Sequence, residues 1–116
     1  MGHLPEALQT YRASLAIADR LAGSDPGNAG WQRDLSASYD RVGEVQKAQR
    51  HLPEALASYQ VSLTIGSRLA KADSSNARWQ HDVSVTYAKI ADAFLNLSDL
   101  RKHLRPLSPV ATSSHG

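Results

Sequence analysis

The chain repeats itself. Shifting the 116-residue sequence by 48 positions lays HLPEAL at 3–8 over HLPEAL at 51–56, and residues 3–42 match residues 51–90 at 21 of 40 positions. Unrelated segments of average composition would share about two or three. A duplication of this length fixes more about the fold than composition does. Both halves must adopt the same supersecondary unit, and units too small to bury their own faces must stack.

Each unit carries two helical stripes. Leu4, Leu8, Tyr11, Leu15, Ala18 and Ala22 recur at spacings of three and four, and so do their copies Leu52, Leu56, Tyr59, Leu63, Gly66 and Ala70. A second stripe runs through Trp31, Leu35, Tyr39, Val42 and Val45, copied as Trp79, Val83, Tyr87, Ile90 and Phe94. Pro5 and Pro53 suit a first helical turn, where a missing amide hydrogen has no intrahelical partner to lose. Between the stripes, GSDPGNAG at 23–30 and KADSSNAR at 71–78 hold residues that stop one helix, and Asn28 and Asn76 can cap the next. The pattern predicts four helices, near 4–22, 29–49, 53–72 and 77–97, in a domain over 1–99. Residues 100–116, with two prolines and a Ser/Thr cluster, read as a flexible basic tail.

Val42-Gly43, Glu54-Ala55-Leu56, Tyr59 and Ser62-Leu63 place small and bulky residues in an order that resembles the tetratricopeptide repeat, in the longer variety similar to that of kinesin light chains and many bacterial multi-domain signalling proteins. The resemblance covers about residues 2–100. It implies an all-α fold of antiparallel helix hairpins wound into a right-handed superhelix, with Gly43, Ala91, Ala7 and Ala55 at the close approaches and Tyr11, Trp31, Tyr39, Tyr59, Trp79 and Tyr87 in the core. Two features depart from it. The period is 48 rather than the usual 34 of that family, and Arg50 replaces the turn glycine that Gly2 retains. The helix order becomes B-A-B-A, with one complete A–B pair. Both end helices then carry stripes with no sequential partner. Those stripes are expected either to close on each other as a four-helix bundle or to associate with a second chain, for which a two-fold dimer is the commoner solution. The chain also fits a piece of a longer array.

The family's ligand surface is the face lined by A helices, which places Asp40, Glu44 and Lys47 from one helix beside Ala88, Asp92, Leu95 and Asn96 from the next. Members that clamp a peptide's terminal carboxylate use Lys and Asn there. Asp40 and Glu44 reverse that chemistry, so a carboxylate clamp is not expected. Three carboxylates against one lysine favour a basic or mixed-charge extended peptide.

Other functions find little support. Without cysteine there is no thiolate zinc site or thiol nucleophile, and the five histidines include no i, i+4 pair. No phosphate loop, nucleophile elbow or HExxH pattern occurs, so no enzyme, metal or cofactor is expected. Residues 1–99 carry 10 Lys+Arg and 11 Asp+Glu, and the net charge of +2 comes from Arg101, Lys102 and Arg105. A nearly neutral body argues against nucleic-acid binding and leaves only a minor RNA-associated reading through the tail. No run approaches the roughly 20 apolar residues of a membrane span, which makes a cytoplasmic protein the default expectation. The sequence thus predicts a non-catalytic protein-binding scaffold or, alternatively, a homo-oligomerisation element.

Overall fold

A computed structural model describes residues 2–104, with side chains through residue 102. Among the described residues the chain is all-α, with no strand and four helices: α1 (Leu4–Ser24), α2 (Ala29–Ala48), α3 (Leu52–Ala72) and α4 (Ala77–Leu104). None is long and apolar enough to cross a membrane. The tail beyond residue 104 lies outside the described residues.

The duplication extends to the atoms of the turns. Asn28 caps α2 by accepting the Trp31 N–H at 3.0 Å, and Asn76 caps α4 by accepting the Trp79 N–H at 3.1 Å. Each satisfies one of the amides that a helix start leaves without a partner. The next residue in each unit reaches back across the turn: Gln32 donates to the Ala22 carbonyl at 3.4 Å and Gln80 to the Ala70 carbonyl at 3.0 Å. One side chain thereby ties the last turn of the incoming helix to the first turn of the outgoing one. Pro5 and Pro53 sit in the first turns of α1 and α3.

The α2–α3 turn is built differently. The His51 N–H donates to the Gln46 carbonyl at 2.8 Å and the Arg50 N–H to the Lys47 carbonyl at 2.9 Å. This is the paired-bond ending that requires a left-handed residue after the helix. Arg50, at φ 66, fills that position, where glycine would meet no steric penalty.

Helix α4 runs seven residues past the expected end at 97. The sequence contains no Gly or Pro between Ala77 and Pro106, and Leu97 and Leu100 prolong the stripe of Ile90 and Ala93. Residues 100–104, expected in the tail, belong to this helix.

Consecutive helices pack in antiparallel fashion. Ser36 donates to the Ser62 carbonyl at 3.0 Å, the Tyr59 ring lies against Gly43, and Ser58 donates to Gln46 Oε1 at 2.6 Å. Residue numbers fall along α3 as they rise along α2. Helices α1 and α4 form no packed interface with each other. The stack is open, not closed into a bundle.

The core has two centres. One gathers Ala18, Ala22, Leu35 and Ile65, with Trp31 and Tyr39 against it. The other gathers Ala55, Leu56, Tyr59 and Ala93. Gly43, Ala55 and Tyr59 are buried, while Trp31, Trp79 and Tyr39 are half-buried. Three residues expected in the core are not there: Tyr11 and Tyr87 are 36% and 57% exposed, and Ala91 is exposed too. The reason is position in the stack. Tyr59 lies between Gly43 of α2 and Ala93 of α4 and is 1% exposed, whereas its copy Tyr11 belongs to an end helix whose main packing partner is α2. Ala91 and Tyr87 lie on the other end helix, on the face that α3 leaves open.

Candidate functional site

Helices α2 and α4 run parallel on one side of the stack, and polar side chains bridge them. Arg33 donates to Asp82 at 2.7 and 3.4 Å, Thr86 donates to Asp40 Oδ2 at 3.2 Å, Lys89 stands 2.8 Å from Glu44 and 3.8 Å from Asp40, and Lys47 pairs with Asp92. Four of the six residues carried over as a partner-binding site, Asp40, Glu44, Lys47 and Asp92, therefore meet on one surface. Leu95 and Asn96 lie farther along α4. Leu95 is 70% exposed, and the Asn96 amide donates to the Asp92 carbonyl of its own helix at 2.8 Å.

Further charges join the three carboxylates and one lysine expected on this surface. Lys89 offsets one of the two carboxylate charges of Asp40 and Glu44, and with the Arg33–Asp82 pair three cations face four acids. Lys89, Arg33, Asp82 and Thr86 were all missed by the sequence reading. A signal for them exists: the bridging partners are 45 to 49 residues apart, within one helical turn of the 48-residue period. Opposite charges spaced by one repeat, give or take a turn, mark neighbouring parallel helices.

Beneath these bridges lies a cleft of about 260 Å³ between α2, α3 and α4, walled by Ser36, Asp40, Ser62, Gly66, Trp79 and Val83. Gly66 keeps it open, since a side chain there would touch little but Val83 and Ser36, at 3.5 and 3.7 Å. Asp40 is its distinctive group. Its side chain is 16% exposed, and its Oδ1 is buried with no hydrogen-bond partner. Ser36 donates to the Ser62 carbonyl, and the two hydroxyls stand 2.9 Å apart. Burial raises the Asp40 pKa above the usual aspartate value, against the lowering influence of nearby hydroxyls and of the Lys89 ammonium. The Tyr59 phenol is pushed up to about 12, first by burial and then by Glu44 and Asp40.

A half-satisfied buried carboxylate beside an open cleft can accept a hydrogen bond from an incoming donor. No group of three or more His, Asp or Glu able to hold a metal occurs among the described residues. No family model, curated protein or solved structure matches this chain.

Proposed function

We propose that the chain is a non-catalytic, tetratricopeptide-like interaction scaffold that lays an extended partner segment along the α2/α4 face. A basic side chain of that segment enters the cleft and donates to Asp40. The observation that carries this reading is the Asp40 Oδ1 atom, buried without a donor at the wall of a cleft open to solvent. An unsatisfied buried acceptor costs about 1–3 kcal/mol, and a ligand ammonium or guanidinium would recover part of it. The mixed charges around the cleft, Lys47 and Lys89 against Glu44 and Asp92, favour a partner of mixed charge over a strongly basic one.

Selection of displayed random peptides on the immobilised protein tests the proposal. Enriched peptides should share an Arg or Lys at one anchor position and lose affinity for Asp40→Asn by about tenfold, the equivalent of one charge-assisted bond. Peptides that bind Asp40→Asn as tightly as the parent chain would rule the cleft out.

A further inference from the structure

We infer that the two end faces of the stack fit each other, so that copies of this chain associate head to tail, α4 of one against α1 of the next. The inference deepens the scaffold reading by lengthening the α2/α4 face, and it rests on the same repeat.

The template is the chain's own α2·α3 interface. Adding 48 carries α1 onto α3 and α2 onto α4. If the α1 of a second copy sits on α4 as α3 sits on α2, every internal contact predicts an external one. Exposure changes sides accordingly. Ile65 is 8% exposed in the cluster it forms with Ala18, Ala22 and Leu35, and its copy Ile17 is 54% exposed. Gln46 is 6% exposed beside α3, and its copy Phe94 is 50% exposed. Tyr59 and Tyr11 differ in the same way. A phenylalanine in place of a buried glutamine is an apolar group awaiting cover on the face that α3 would occupy.

Polar contacts carry over as well. The Ser36–Ser62 pair becomes Ser84 against Ser14 of the next copy. The Arg33–Asp82 ion pair becomes His81 against Asp34, and the Lys89–Glu44 pair becomes Arg41 against Asp92. Both translated ion pairs keep complementary chemistry. The Lys47–Asp92 pair does not translate, because Leu95 stands at the lysine's place. A symmetric α1–α1 or α4–α4 contact has no such template within the chain.

One replacement sets the strength. A Cβ on Gly43 would come within 2.6 Å of the Tyr59 ring, and the copy of Gly43 is Ala91. The external interface must push the Tyr11 ring aside, so it is weaker than the internal one. Association is then reversible and concentration-dependent, and Ala91→Gly tightens it although glycine weakens a helix.

Sedimentation equilibrium over a dilution series, with Ile17→Asp and Phe94→Asp, tests the arrangement. Both residues are exposed in the single chain, and unchanged circular dichroism and thermal melting confirm that each variant folds. The parent chain should gain mass with concentration. Each variant alone should stay monomeric, because every contact between its copies would include the altered face, and an equimolar mixture should restore a 1:1 dimer, because each supplies the face the other lacks. Ala91→Gly should shift the association to about tenfold lower concentration, the factor that about 1.4 kcal/mol represents. A parent chain monomeric at every concentration overturns the inference. So does a variant that still dimerises alone, which means a symmetric contact, and so does a mixture that stays monomeric. Peptide binding by the two variants reads the α2/α4 cleft separately, so loss of assembly and loss of the scaffold reading are told apart.

Discussion

Arg50 carries the one non-glycine positive φ among the described residues, and it does so because the α2–α3 turn demands that conformation whatever residue occupies it. Glycine there would remove a left-handed penalty of about 1–2 kcal/mol and give back part of it as backbone entropy. Arg50→Gly is expected to stabilise the fold by about 0.5–1 kcal/mol in chemical denaturation. Tyr59 and Tyr11 make a second residue-scale pair. Same residue, same repeat position, different neighbours: Tyr59→Ala should destabilise by about 3 kcal/mol or more, and Tyr11→Ala by about 1 kcal/mol or less, when both are unfolded at a concentration where the chain is monomeric. Asp40 sets the third expectation. Its raised pKa means the folded chain binds that proton more tightly than the unfolded one, so stability contributed at this site falls as pH rises from the unfolded aspartate value through the folded one. Asp40→Asn, with Lys89 still paired to Glu44, should be more stable than the parent chain at pH 7, and the difference should vanish toward pH 3. A loss of stability at pH 7 would mean that the Thr86 and Lys89 contacts outweigh the burial of the charge.

At the scale of the element, each unit is defined by its cap and its returning glutamine. Asn28→Ala and Asn76→Ala remove equivalent hydrogen bonds and should each cost about 1 kcal/mol, with near-additive effects because the two caps share no partner. The helices and their turns were legible in the sequence because such signals are local: the 3.6 period, proline in a first turn, asparagine before Trp-Gln. What was not legible depends on neighbours. Tyr11, Tyr87 and Ala91 carry the stripe pattern of a core and are exposed, because a stripe states which side must be covered and not whether the chain supplies the cover. The end of α4 was misplaced because the basic residues after Asp99 resemble a tail by composition, while nothing before Pro106 opposes helix. The cleft was half legible. Family-like positions pointed to Asp40 and Glu44 but not to Lys89, whose role comes from the pairing of two parallel helices one repeat apart.

The whole molecule is a stack in which the two inner helices have neighbours on both sides and the two outer ones have a neighbour on one. This arrangement places stability unevenly, since local opening follows the number of buried contacts. It also leaves Tyr11 and Ile17 at one end and Tyr87 and Phe94 at the other as a matched pair of faces. Amide hydrogen exchange at a dilution where the chain is monomeric reads this directly. Slowest exchange is expected around Val42–Gln46 of α2 and Ala55–Ser62 of α3, with α1 and the second half of α4 exchanging well before them. Protection of α1 equal to that of α3 would contradict the open stack, because it would require α1 to be covered on both sides within a single chain.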